Sequence, residues 1–242
     1  MNRLIKSIGE GCLNLLYPPR CPFCDRIPAR GQIVCSLCAE KLPYIEEPVC
    51  RRCGRPVLPG DDLCDDCRET DRRFEAGEGL FMYDDLTRPA LYALKYRGRA
   101  DIGRALGALL YERKKERIRE WQCDLAVPVP VHPGRLKARG YNQAAVIAGE
   151  TARLAGLPTE PDAVRRRTET AALKEMSRTE RYRAMADAFV PGKKVEDRRI
   201  LLIDDIFTSG ATCDAVSDAL KEGGASSVHV LAVCIGVAFM IK

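Results

Sequence analysis

The sequence predicts an α/β chain: a parallel sheet flanked by helices, preceded by a small cysteine-rich module. Three features predict it. Strand-like apolar runs alternate with amphipathic helical stretches from about Phe74 onward, which is the pattern of a parallel sheet covered on both faces. A compact apolar run, Arg199 to Ile203, leads into two acids, a loop of small residues and a helix. Eight of the 12 cysteines lie in CxxC pairs between Cys21 and Cys67.

The 242 residues, 46 % of them hydrophobic, suffice for one good-sized core plus an appendage, or for two modest domains. The charge is mixed, with 39 Lys and Arg against 34 Asp and Glu, a net +5. Such a surface admits anionic ligands without demanding them. Basic residues gather at Arg135, Lys137 and Arg139, at Arg165 to Arg167, and at Arg178, Arg181 and Arg183, although most such clusters are solvated faces. Residues 1–17 read as an amphipathic segment. Its apolar stretch, Cys12 to Tyr17, is too short for a secretory signal and runs into Pro18 and Pro19. The run Val228 to Ile241 is too short to span a bilayer and reads as a buried final strand. A cytoplasmic location is expected, and in a reducing compartment cysteines serve metals better than disulfides.

Cys21, Cys24, Cys35 and Cys38 form two CxxC pairs, and Cys50, Cys53, Cys64 and Cys67 repeat them 29 residues later, every cysteine in register. Two residues between cysteines let a tight turn aim both thiolates at one ion. Tetrahedral zinc with four thiolates is the expected occupant, two structural ions in all. Neither repeat is long enough to bury a useful core, whereas structural zinc in finger peptides contributes about 10 to 16 kcal/mol of apparent binding free energy. A complete cysteine set leaves no open position for catalytic water. Spacing alone permits an ion held within one repeat or shared between the two; the sequential arrangement is the expectation. The double ribbon is taken as residues 18–71, followed by a polar linker, Arg68 to Arg73, and a second domain over 74–242. Cys12, Cys123, Cys213 and Cys234 fall outside the pattern and read as ordinary thiols.

In the second domain, Leu86 to Tyr96 and Ile102 to Trp121 carry apolar residues at helical spacing. Asp124 to Val131 reads as a strand, Asn142 to Ala155 as a helix, Arg199 to Ile203 as a strand, Ala211 to Lys221 as a helix and Val228 to Cys234 as a last strand.

The informative segment is RILLIDDIFTSGAT, residues 199–212. Ligands of such sheets bind at the carboxyl ends of strands. The loop Thr208, Ser209, Gly210, Ala211, Thr212 can wrap a phosphate with backbone N–H groups and hydroxyls, at a helix start that favours anions. Asp204 and Asp205 precede it, where carboxylates can accept hydrogen bonds from vicinal ribose hydroxyls. Phosphate and sugar diol together describe a ribose 5-phosphate. A Walker-type nucleotide site would need a GxxxxGK[ST] loop, which the chain lacks. A phospho-acceptor receiver domain would carry the acids on its first strand, yet only 37 residues follow Asp205.

These segments resemble the ComF family of competence-associated, phosphoribosyltransferase-like proteins, which includes the GntX-type members. ILLIDDIFTSGAT looks like the phosphoribosyl pyrophosphate motif of type I phosphoribosyltransferases, and the four CxxC pairs look like the family's double zinc ribbon. LKYRG at Leu94 to Gly98, DLAVPVPVHPGRLKARGYNQA at Asp124 to Ala144 and SRTERYRAMADAF at Ser177 to Phe189 resemble further family blocks. The resemblance implies a type I phosphoribosyltransferase-like fold. It also implies a ligand, phosphoribosyl pyrophosphate with Mg2+, held by Asp204 and Asp205 at the ribose and by Thr208 to Thr212 at the 5-phosphate. Pro128, Val129 and the residues up to Val131 would form the pyrophosphate-side loop, with Arg139, Asn142 and Arg181 near the leaving group or on a flap.

An active transferase would displace pyrophosphate at the anomeric carbon through an oxocarbenium-like transition state, with the two acids as the catalytic pair. No general base is evident: His132 follows the pyrophosphate-side segment, and His229 lies on an apolar strand, as a satisfied core residue would. The alternative is a non-catalytic factor of DNA uptake, binding single-stranded DNA or competence-machinery proteins through the ribbons and basic clusters. Arg51, Arg52 and Arg55 form a basic knuckle in its favour; few aromatics and the acids Asp61, Asp62, Asp65 and Asp66 stand against it.

Overall fold

The structure, a computed structural model, describes residues 18–167 and 188–236. The segment 1–17 with Cys12, the basic cluster at Arg178, Arg181 and Arg183, and the end of the last apolar run lie outside the described residues. The chain divides into two compact units, residues 1–42 and 43–242.

In the smaller unit the turn at Cys21 is closed by backbone bonds from Cys21 to the Arg26 carbonyl at 2.8 Å and from Asp25 to the Cys21 carbonyl at 3.0 Å. Cys35 caps the single-turn helix α1, Ser36–Ala39. Besides cysteines, only Val34 and Leu42 of the unit's described hydrophobic residues are buried, which is too little apolar surface to hold it without metal.

In the larger unit the second quartet comes first, with α2, Asp65–Glu69, capped by Cys64. The elements then run β1 (Ala76–Met82), α3 (Arg88–Tyr96), α4 (Ala100–Glu120), β2 (Leu125–Pro128), α5 (Pro133–Arg139), α6 (Gln143–Ala155), β3 (Val164–Arg166), β4 (Phe189–Pro191), β5 (Arg199–Phe207), α7 (Ala211–Glu222) and β6 (Ser227–Ile235). β3 and β4 pair as a small antiparallel ribbon. The main sheet has the order β1-β6-β5-β2, and all its pairs are parallel.

β5 and β6 occupy the centre, which is why they read as unbroken apolar runs: Ile200 to Ile203 are wholly buried. Each such side chain contributes about 1.5 to 3 kcal/mol of burial. β5 extends past Ile203, where the sequence suggested its end, to Phe207, because β6 continues to pair with it as far as Ile235. Asp204 and Asp205 therefore sit inside a paired strand and not beyond it.

Arg68 to Arg73 is not a solvated linker throughout. Arg72 is 5 % exposed, because it has an internal acid to meet in Asp214. Cys123, Cys213 and Cys234 are buried, and burial pushes all three thiols well above the ordinary range, as inert core thiols should be. No helix of the described residues is long and apolar enough to cross a membrane.

Candidate functional site

Parallel strands β2 and β5 point to the same edge of the sheet, β2 ending at Pro128 opposite Ile203 and β5 running on to Phe207, and the helices α5 and α7 follow them there. There the acids, the small-residue loop and Pro128 with Val129 come together, the Val129 N–H donating to the Ile203 carbonyl at 2.9 Å.

Asp204 and Asp205 are 7 % and 4 % exposed. The Asp204 carboxylate accepts the Asp205 N–H at 2.8 Å. The ammonium of Lys95, on α3, lies 2.5 Å from Asp205 Oδ2, and Gln143 Nε2 donates to Asp205 Oδ1 at 3.3 Å. Burial and the adjacent charge of Asp205 push Asp204 well above the usual carboxylate range. Burial acts on Asp205 too, but the charge and hydrogen bond of Lys95 overcome it and hold Asp205 below that range. The pair thus carries a deprotonated member beside one that readily keeps its proton.

Lys95 and Gln143 are the site residues that sequence reasoning missed. Lys95 sits in LKYRG, where a lysine between apolar helix positions reads as solvent-facing. Gln143 begins α6 and is 8 % exposed.

The loop after β5 ends at Gly210, which caps α7 in the left-handed conformation, φ +82°. A side chain there would put its Cβ 2.4 Å from Arg72 Nη1 and 2.8 Å from the Phe207 ring. Ser209 is exposed and Thr208, Ala211 and Thr212 are half-buried, so the loop faces solvent above a buried floor.

Asn142 caps α6, its Oδ1 accepting the Ala144 N–H at 3.0 Å, while its Nδ2 donates to the Val129 carbonyl at 3.0 Å. Its side chain ties the Pro128–Val129 segment to α6. Arg139 hydrogen-bonds Gln143 and lies over the Tyr96 ring at 5.6 Å, which makes it the outer end of a chain running through Gln143 to Asp205. Arg181 lies outside the described residues. His132 caps α5, its Nδ1 accepting from the Gly134 N–H at 3.1 Å. His229 differs from a satisfied core residue: it is half-buried and stacks on Trp121, and its Nδ1 has no hydrogen-bond partner among the described residues. Burial lowers its pKa, so the ring tolerates that position as the neutral form.

The cysteines gather as sequential quartets, Cys21, Cys24, Cys35, Cys38 and Cys50, Cys53, Cys64, Cys67, their sulfurs within 4.8 Å of one another in each. Four thiol ligands that close fit tetrahedral zinc and leave no coordination position open. The second quartet is wholly buried, whereas Cys24 is exposed. The hydrogen bond with Cys53 draws Cys67 down to about 5 against burial, with Arg72 assisting, so that quartet already favours a thiolate.

Of the basic knuckle Arg51, Arg52 and Arg55, Arg51 is exposed, whereas the other two also reach inward. Arg52 Nη2 donates to the Arg72 carbonyl at 3.0 Å, and Arg55 donates to Asp66 Oδ2 and to the Thr208 carbonyl, each at 2.7 Å.

Family comparison agrees with this architecture. The model of the double zinc ribbon domain matches residues 12–68, and that of the phosphoribosyl transferase domain matches residues 142–238. The DNA utilization protein YhgH of Escherichia coli K12 is 26 % identical, over 91 % of this chain and 98 % of its own length. The competence protein ComFC of Bacillus subtilis is 29 % identical over 81 % of each chain, and competence protein F of Haemophilus influenzae 26 % identical over 81 % of this chain and 88 % of its own. Among solved structures, the glutamine phosphoribosylpyrophosphate amidotransferase of B. subtilis is 20 % identical, with a TM-score of 0.41, over 58 % of this chain and 30 % of that one. Two cysteine quartets thus stand ahead of a phosphoribosyltransferase-like domain, in a chain similar along most of its length to competence and DNA utilization proteins.

Proposed function

We propose that the larger unit binds phosphoribosyl pyrophosphate with Mg2+, the acid pair taking the ribose hydroxyls and Thr208 to Thr212 the 5-phosphate, in a protein of DNA uptake working in the reducing cytoplasm. The observation that carries this is the juxtaposition of two buried acids with a solvent-facing loop at a helix N-terminus, on the carboxyl edge of a parallel sheet. Two carboxylates and no fuller cage suit Mg2+, which keeps its waters and is held by substrate phosphates plus one or two carboxylates. When bound, the ion neutralises the diphosphate. Asp204 and Asp205 orient the ribose. Lys95, paired with Asp205, keeps that acid ionised until the ligand's hydroxyls arrive. Asn142 fixes the Pro128–Val129 segment facing the diphosphate.

Similarity to competence proteins supports the setting in DNA uptake. Direct single-stranded DNA contact through the second ribbon is disfavoured, because Arg52 and Arg55 are committed to internal carbonyls. If several lysines or arginines did hold DNA phosphates, affinity would fall steeply with salt.

The test is ligand selectivity by thermal shift. Ribose 5-phosphate should protect the protein, and 2-deoxyribose 5-phosphate should bind about 10-fold or more weakly, having lost a hydrogen bond to an ionised acceptor. Equal protection by both sugars would contradict the role given to the acids.

A further inference from the structure

We propose that Arg55, from the second cysteine module, and Arg72, just beyond its last cysteine, are positioning residues for the loop at 208–212, holding the loop's N–H groups toward a phosphate. The proposal rests on the reading of that loop as a phosphate cradle. Arg55 Nη2 donates to the Thr208 carbonyl at 2.7 Å across 153 positions of sequence, and Arg72 Nη1 donates to the Ser209 carbonyl at 2.7 Å across 137.

Peptide planarity turns these two bonds into an orientation of the loop. In a trans peptide the C=O of one residue and the N–H of the next point in opposite directions. Drawing the Thr208 carbonyl toward Arg55 therefore points the Ser209 N–H away from the module. Drawing the Ser209 carbonyl toward Arg72 does the same for the Gly210 N–H. Two successive carbonyls that would repel an anion are withdrawn, and two donors are presented in their place, with two guanidinium charges behind them.

Neither arginine is free to relax. Arg55 is braced by Asp66, from α2 of the same module. Arg72 reaches Asp214 Oδ2 at 3.0 Å and Cys67 Sγ at 3.4 Å, and Asp214 Oδ1 accepts the Arg73 N–H at 2.9 Å. The Arg72 and Asp214 side chains are 2 % and 0 % exposed. Gly210 is the third part of the device, since any Cβ there would displace the Arg72 fork. The module is thus the back wall of the loop, and the turn that gathers Cys67 with its partners sets where Arg72 stands.

The experiment uses the full-length, zinc-loaded protein with Arg55→Ala and Arg72→Lys beside wild type. Calorimetry with ribose 5-phosphate, and with pyrophosphate and Mg2+, is combined with amide hydrogen exchange of the ligand-free protein. Zinc content and the Trp121 unfolding transition check folding. Arg55→Ala should bind ribose 5-phosphate about 10-fold more weakly, the loss of one charge-assisted hydrogen bond, with pyrophosphate binding unchanged. The amides of Ser209 and Gly210 should exchange faster while those of β5 do not. Arg72→Lys keeps the charge but not the fork, and it should show the same selective loss. Wild-type affinity and unchanged loop exchange in the folded variants overturn the positioning role. Failure of wild type to bind ribose 5-phosphate overturns the cradle itself, and the proposal with it.

Discussion

Replacing Gly210 with alanine tests how tightly the loop is built. The substitution forces a side chain into φ +82°, which costs about 1 to 2 kcal/mol for an L-residue. It also puts a Cβ 2.4 Å from Arg72 Nη1 and 2.8 Å from the Phe207 ring. A guanidinium is ordinarily a yielding neighbour, but this one is held by Ser209, Asp214 and Cys67. Moving it sacrifices at least one charge-assisted hydrogen bond in a buried place, about 1.5 to 3 kcal/mol. Gly210→Ala should therefore lose about 2.5 to 5 kcal/mol. Gly140→Ala is the internal control: its φ is +83°, yet beyond its chain neighbours no atom of the described residues lies within 4 Å of the added Cβ, so only the backbone cost of about 1 to 2 kcal/mol applies. Urea unfolding followed by fluorescence of Trp121, the sole tryptophan, reads the larger unit. Equal losses in the two variants would show that Arg72 is not where its contacts place it.

Metal analysis of the purified protein should find two zinc ions per chain, with Cys24→Ser and Cys53→Ser each retaining one; loss of both ions from either single variant would refute two independent sequential sites. Ligand binding should release protons. Asp204 holds its proton above the ordinary range, and binding of magnesium and a sugar diol favours the carboxylate, so affinity rises with pH until Asp204 ionises in the free protein. Calorimetry in buffers of different ionisation enthalpy reads this directly, and proton uptake would contradict it. Lys95→Met leaves Asp205 charged and buried and should cost about 3 kcal/mol by the same fluorescence assay. Asp205 lies below the usual range in the folded protein, so its contribution is present above the unfolded carboxylate pKa and fades as pH falls through the folded one. The deficit of the variant should shrink in that acidic window, and a deficit constant with pH would count against the pair. Asp124, held down to about 2 by the Arg199 fork and N–H, should likewise support the start of β5; Asp124→Asn should lose about 1 kcal/mol.

The central sheet was legible because β5 and β6 are buried on both faces, and such strands appear as plain apolar runs. β1 was not, because Ala76–Met82 carries two glycines and Glu78, whose carboxylate is spoken for by Lys114 and Arg117. α5 was hidden between His132 and Gly140 by its brevity, and the β3–β4 pair is only three residues a side. At the site, the acids and the loop announced themselves through local order in the chain. Lys95, Gln143, Arg55 and Arg72 did not, since each reaches its target from a distant element and its role is set by tertiary contact alone. A lysine on an amphipathic helix and arginines beside cysteines look solvated until the fold gives them internal partners.

The most direct measurement is calorimetric titration of the zinc-loaded, full-length protein with phosphoribosyl pyrophosphate and Mg2+, beside an Asp204→Asn, Asp205→Asn double variant that retains its unfolding transition. Saturable one-to-one binding by wild type, lost in the variant, is the predicted result. Absence of binding by folded wild-type protein, or equal binding by the variant, would contradict a ribose phosphate site on the acid pair.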